Sequence, residues 1–218
     1  MDKTTRIPIV AAGDITCIRT PAAGPGTGWT FVYAPGAGSN IRDPFGAFAA
    51  TALAAAGVTT LRFQFPYMEA GRRAPDRPPL LEATWRAVID ASRGDASRLV
   101  VGGRSMGGRI ASQVVAQGVA VDALALFAYP LHPPGKPEQL RTEHLAAIEA
   151  PVLFCSGTRD AFASPDELRA AARGVRHATV HLLEAADHGF AVPKASGRTR
   201  EQVWSEAVST MVAWLSKL

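Results

Sequence analysis

The chain is poor in cysteine, has no membrane-length apolar run and shows no basic stripe, and each absence removes a class of protein. Only Cys17 and Cys155 occur among 218 residues, both inside apolar, strand-like segments. Two buried free thiols are expected there, not a disulfide framework. No cluster of histidine, cysteine and carboxylate has zinc-ligand spacing, so neither a metal nor another cofactor is expected. No apolar stretch approaches the ~20 residues that a membrane helix needs. Residues 1–6, Met-Asp-Lys-Thr-Thr-Arg, lead into nothing like a signal-peptide core. A cytoplasmic protein with no membrane partner is the expectation. The net charge of +4 and pI near 9.4 raise nucleic acid as a partner. The arginines are scattered, however, apart from Arg72, Arg73 and Arg77, and aromatics do not interleave with them. No nucleic-acid partner is therefore expected. No internal repeat or linker interrupts residues 1–218, which read as a single domain with a full two-sided core. The oligomeric state stays open, since Trp204 and Trp214 fit core packing better than an interface.

What is present is an alternation. Residues 7–10 and 15–19 read as short strands, followed by strands at 29–34, 58–63, 98–102, 122–129, 151–155 and 178–183. Between them, helical patterns cover 44–56, 80–92, 108–116, 142–148, 165–172 and 201–215. Gly57 closes the first helix as a C-terminal glycine does. Apolar strands alternating with helices predict an α/β fold with a mostly parallel sheet and helices on both faces. Ligands of such sheets lie beyond the C-terminal ends of the strands. Candidate functional residues should therefore follow strands.

Gly103-Arg104-Ser105-Met106-Gly107 does so. It sits between an apolar strand and a helix, with serine at the tip of the turn. That is the G-x-S-x-G nucleophile elbow, where a strained turn projects the hydroxyl clear of the sheet. Glycines flank the serine because side chains there would strike a neighbouring element. A serine hydroxyl needs a histidine to take its proton and a carboxylate to hold that histidine. In this fold the order is serine, acid, histidine. Of His132, His144, His177, His181 and His188, only His188 follows the last strand and comes after the acid candidates. Asp160 follows the preceding strand. Its rivals read differently: Asp166 and Glu167 as first-turn residues that complement a helix dipole, and Asp187 as the immediate neighbour of His188. The oxyanion of an acyl-transfer intermediate needs two N–H donors. The residue after the nucleophile, Met106, supplies one. The loop Ala34-Pro35-Gly36-Ala37-Gly38-Ser39-Asn40 supplies the other, through Ala37 or alternatively Gly38.

Two proline-rich loops, 64–79 and 130–137, leave strand ends and are expected to form fixed pocket walls. Phe65, Tyr67, Met68 and Leu131 would line an apolar acyl site there. Arg72, Arg73, His132 and Lys136 would hold a carboxylate or phosphate, unless Glu69 and Asp76 pair with the arginines merely to order the loop. Neither loop is long enough for a cap domain, so the site should be open and shallow.

The ordered motifs Pro-Gly-Ala-Gly-Ser-Asn, Phe-Pro-Tyr-Met-Glu-Ala-Gly-Arg-Arg, Gly-Gly-Arg-Ser-Met-Gly-Gly-Arg, Tyr-Pro-Leu-His-Pro-Pro-Gly-Lys-Pro, Gly-Thr-Arg-Asp and Asp-His resemble one group of α/β-hydrolases. It joins bacterial dienelactone-hydrolase-like proteins with the testis-expressed and NSL-complex-subunit proteins of animals. The resemblance spans nearly the whole chain. It implies a compact, lidless hydrolase with Ser105, Asp160 and His188 as the triad. Where dienelactone hydrolases carry a cysteine nucleophile, this chain carries Ser105.

The expectation is thus a cofactor-free serine hydrolase acting on a small carboxylic ester or thioester. Gly38, Tyr67, Met68, Arg72 and His132 are its candidate substrate contacts. A non-catalytic binding or scaffold protein on the same fold is the alternative.

Overall fold

A computed structural model describes residues 1–218, the side chain of Asp95 excepted. Eight strands form one sheet: β1 (Lys3–Ile9), β2 (Gly13–Thr20), β3 (Trp29–Ala34), β4 (Thr59–Phe63), β5 (Arg98–Arg104), β6 (Ala123–Phe127), β7 (Val152–Gly157) and β8 (Ala178–Leu183). Across the sheet they run β1-β2-β4-β3-β5-β6-β7-β8. β2 lies antiparallel to β1 and β4, and every other neighbouring pair is parallel. Every residue of β3, β6 and β7 is buried, the continuous apolar run that a sheet covered on both faces requires. β1, at the edge, alternates exposed with partly buried residues and is largely solvated.

Six helices cover the faces: α1 (Pro44–Ala55), α2 (Pro66–Glu69), α3 (Pro78–Ser92), α4 (Met106–Ala116), α5 (Pro165–Ala172) and α6 (Arg200–Leu215). Their starts follow local chemistry. Proline stands in the first turn of α1, α2, α3 and α5, where its missing N–H costs nothing. Ser164 and Thr199 close capping boxes on α5 and α6. On one face Phe45 and Leu53 of α1 pack with Val203 and Met211 of α6 over Phe31 and Phe127. On the other, Trp85 and Val88 of α3, Ile110 and Val114 of α4 and Leu168 of α5 cover Val32, Val101 and Leu126. Among the described residues no further group of helices forms a cap above the sheet. Among the described residues no helix is long and apolar enough to cross a membrane.

Several segments differ from the sequence expectation, among them β1, which starts at Lys3 and not at residue 7, and α4, which starts at Met106 and not at residue 108. Residues 66–69 form the short helix α2 within what reads as loop, because Pro66 presets the first φ and Tyr67 and Met68 are buried. α3 begins at Pro78 instead of 80, since prolines are tolerated in a first turn. Residues 143–147 form a 3-10 helix and not an α-helix, as such short stretches often do. Cys17 and Cys155 are both free and buried.

Candidate active site

Ser105 joins β5 to α4 with φ 52° and ψ −120°. A non-glycine residue there costs about 1–3 kcal/mol, so the surroundings must impose the turn. Close packing does this. A Cβ on Gly103 would lie 2.0 Å from the Ala34 carbonyl oxygen, and one on Gly107 2.3 Å from the same atom. Only glycines let β3 approach the elbow so closely. The Ser105 N–H donates to the Phe127 carbonyl at 2.9 Å, and the Arg109 N–H donates to the Ser105 carbonyl at 3.0 Å. The Trp85 indole N–H ties α3 to the Gly107 carbonyl at 3.1 Å.

The turn after β8 carries His188. Asp187 shapes it by accepting the N–H groups of Gly189 and Ala191, each at 2.8 Å, so this rival acid is committed to the backbone. Nε2 of His188 lies 2.9 Å from the Ser105 Oγ. Its Nδ1 lies 2.9 Å and 2.8 Å from the two carboxylate oxygens of Asp160. The Asp160 side chain is fully buried, and Oδ1 also accepts the Phe162 N–H at 2.8 Å. A carboxylate facing Nδ1 fixes the proton there and leaves the Nε2 lone pair toward the serine hydroxyl. The Phe162 ring stacks on the imidazole with centroids 4.0 Å apart. The other rivals are also spent locally. Asp166 pairs with Arg169 at 3.2 Å, and Glu167 accepts the Ser164 N–H and hydroxyl. Hydrogen bonds from Ser164 hold the Glu167 carboxyl below its ordinary range.

The loop after β3 abuts the elbow, since a Cβ on Gly36 would stand 3.3 Å from the Ser105 Cβ. Ala37 and Gly38 are exposed at its tip, and Gly38 takes φ +76°. The Ala37 and Met106 N–H groups have no acceptor among the described residues. Beneath the loop lies Asp43, 2% exposed. It accepts the Tyr33 hydroxyl, the Gly46 N–H at 3.0 Å and the Ser39 hydroxyl at 3.4 Å, and it pairs with Arg104 at 3.3 Å. Arg104 directly precedes the serine. Sequence reasoning passed over both residues. Asp43 before Pro44 has the form of a helix cap, but nothing local marks Arg104 as its partner.

The rim residues have other engagements. Arg72 pairs with Asp76 at 2.5 Å, and Asp76 also accepts the Tyr67 N–H at 2.8 Å. Glu69 meets neither arginine but reaches the Thr16 N–H on β2. Burial raises its carboxyl, yet hydrogen bonds from Thr16 and Gln64 prevail and leave it below the ordinary value. Phe65, Tyr67 and Leu131 lie in the core, with Tyr67 1% exposed and its hydroxyl pushed up to about 12 by burial. Met68, with Thr16, Asn40, Ile41, Arg42 and Gln64, lines a cleft of about 300 Å³ beside the Gly36–Asn40 loop. His132 is 5% exposed, its Nδ1 2.8 Å from the Pro133 carbonyl and its Nε2 3.4 Å from Glu167. Its N–H donates to the Phe162 carbonyl at 3.3 Å, so it braces the acid loop. The structure thus brings Ser105, His188, Asp160, Met106 and the Ala37–Gly38 tip together, while Arg72 and His132 are held by neighbouring side chains.

A sheet in this order, with a serine on the β5–α4 turn facing a histidine and a buried aspartate from later strand ends, defines the α/β-hydrolase class. The chain belongs to the alpha/beta hydrolase domain family, whose model matches residues 27–216. Solved structures share the fold. The esterase domain of a Rhodothermus marinus protein superposes with TM-score 0.73 at 14% identity, covering 98% of this chain and 97% of that one. A Xanthomonas campestris protein described as an α/β serine hydrolase without lid gives TM-score 0.76 at 16% identity, covering 98% and 94%. Dienelactone hydrolase from Anabaena variabilis gives 0.71 at 17%, covering 96% and 95%.

Proposed function

We propose that this chain is a serine hydrolase that cleaves a small carboxylic ester or thioester through an acyl-enzyme on Ser105. The observation that carries the reading is the relay from the Ser105 Oγ through His188 to the buried Asp160, with contacts of 2.9 Å and 2.8 Å. In the first half-reaction Oγ attacks the carbonyl carbon while Nε2 of His188 takes the hydroxyl proton. Asp160 holds the ring and stabilises the imidazolium. The negative oxygen of the tetrahedral intermediate accepts from the Met106 and Ala37 N–H groups. One such donor contributes roughly 3–4 kcal/mol to the transition state. Collapse expels the alkoxide or thiolate, which receives the proton from Nε2. Water then enters by the same route, with His188 again as base, and releases the acid. No metal or other cofactor takes part.

Gly38 and Met68 are assigned to substrate contact, and the substrate is a small molecule that reaches an open, lidless site. Residues 1–218 work as one domain in the cytoplasm, within the branch that the motifs resemble.

A fluorophosphonate probe tests the reading, since it phosphonylates only an activated serine. The wild-type chain should label at one site and Ser105→Ala should not, with an unchanged circular dichroism spectrum. Absence of labelling in the wild type would favour a binding protein on a hydrolase fold.

A further inference from the structure

Among the described residues, neither Arg109 nor Arg141 pairs with a carboxylate. Arg109 lies one turn along α4 from Ser105, to whose carbonyl its own N–H is bonded at 3.0 Å. Its side chain is half-buried, and its Nε is buried with no hydrogen-bond partner. Burial, and then the charge of Arg141, pull the guanidinium below its usual pKa. Arg141 sits across from it on the segment after β6. That segment is anchored there by the Arg141 N–H to the Leu131 carbonyl at 2.7 Å, and by the Tyr129 hydroxyl to the Arg141 carbonyl at 3.2 Å. Two further groups near Arg109 add no negative charge. His144 is held neutral, its pKa lowered to about 4 by burial and by Arg109, and it meets the Ser112 hydroxyl at 2.7 Å. Burial keeps Tyr129 a phenol, its pKa raised to about 12. The Gln113 Oε1, one turn further along α4, is buried and also unpartnered.

Half-burying a guanidinium next to a second one is unfavourable unless an anion joins them. Elsewhere in the molecule a carboxylate meets such a charge, as in the Arg72–Asp76 pair at 2.5 Å. We propose that Arg109 and Arg141 form an anion subsite beside Ser105 that takes a carboxylate or phosphate carried by the substrate. The arginine fork suits both groups, since two N–H donors match two oxygens. Arg109 is rooted one helical turn, about 5.4 Å, from Ser105, which would put a bound anion within reach of a short acyl chain on that serine. Among hydrolase substrates this favours short esters or thioesters of dicarboxylic acids, or phosphate-bearing ones, over neutral esters.

The inference deepens the hydrolase reading and rests on it, so the test has two arms. In the first, 4-nitrophenyl monoesters of glutaric acid are compared with neutral 4-nitrophenyl pentanoate at low salt. The wild type should favour the anionic ester, and Arg109→Gln and Arg141→Gln should each cut kcat/KM for it about tenfold, or ~1.4 kcal/mol. Pentanoate should stay within about twofold, and Arg109→Lys should retain part of the preference. Equal losses on both esters, or none on either, would overturn the subsite. The second arm needs no turnover. Glutarate and inorganic phosphate should raise the thermal midpoint of Ser105→Ala, neutral glutaramide should not, and adding Arg109→Gln should abolish the rise. No anion-specific rise would overturn the subsite, whereas a rise without ester hydrolysis by the wild type would count against the hydrolase reading alone. Glutarate competing with the anionic ester identifies the substrate's own group as the ligand. Phosphate that binds without competing would mark a free-anion site and refute the substrate-borne assignment.

Discussion

The guanidinium of Arg104 lies 3.3 Å from the Oδ1 of Asp43, a carboxylate only 2% exposed at the N-terminus of α1. This pair connects the residue before the proposed nucleophile to the residue that holds Ser39 of the Ala34–Asn40 loop. Two elements that must keep a fixed spacing are thereby joined through one buried anion. Donors that act only in the transition state lower kcat when displaced and leave KM nearly unchanged. Arg104→Met is therefore expected to reduce kcat about tenfold, ~1.4 kcal/mol of transition-state stabilisation. Asp43→Asn should do likewise, and the double variant should lose less than the product of the two. Steady-state kinetics on one neutral ester provide the check. Independent, multiplicative losses would mean that the pair does not act as a unit.

Gly103→Ala should destabilise the chain by more than ~4 kcal/mol or leave it insoluble, the range reserved for severe steric faults. Its Cβ would overlap the Ala34 oxygen at 2.0 Å, at a φ of +145°. Gly94→Ala meets nothing within 4 Å and is the matched control, expected within ~0.5 kcal/mol of wild type. Urea unfolding distinguishes them.

His144 makes stability depend on pH. Its folded pKa, lowered to about 4 by burial and the charge of Arg109, lies below the 6.5 of a free histidine. The unfolded chain therefore binds the extra proton between those values, and stability falls as pH drops through that window. Above pH 6.5 the contribution is constant. The urea midpoint should decline between pH 6.5 and 4.5, and His144→Gln should flatten that decline. An unchanged slope in the variant would assign it to other groups.

Both cysteines should be inert in the folded chain. Burial pushes the Cys17 thiol up to about 12 and raises Cys155 further. Since the thiolate is the reactive form, Ellman's reagent should find no thiol in native buffer and two in urea. Rapid native labelling of either would show that its segment opens readily.

Much of the fold is legible in local chemistry. Buried strands such as Trp29–Ala34 and Ala123–Phe127 are apolar on both faces, while helices carry their caps and prolines at their starts. That alternation suffices for a parallel sheet with helices on both sides. The antiparallel entry of β1 and β2 and the crossing of β3 past β4 are not local properties.

The candidate site divides in the same way. Ser105 is marked by its own neighbours, since the strand, the glycines and the helix are contiguous. His188 and Asp160 are legible through chain order and strand ends. The loops are where local reading fails. Arg72 and His132 look available in sequence, yet one is held by Asp76 and the other is buried between Pro133 and Glu167. Arg109 looks like an ordinary helix residue, yet it feels the charge of Arg141 and has no carboxylate partner among the described residues. The chain by itself determined the elements, the nucleophile turn and the order of the relay, because each depends on residues a few positions apart. Only the tertiary structure decided which charges are paired and which remain free, because an ion pair depends on distance in space and on burial, and neither is encoded by spacing along the chain.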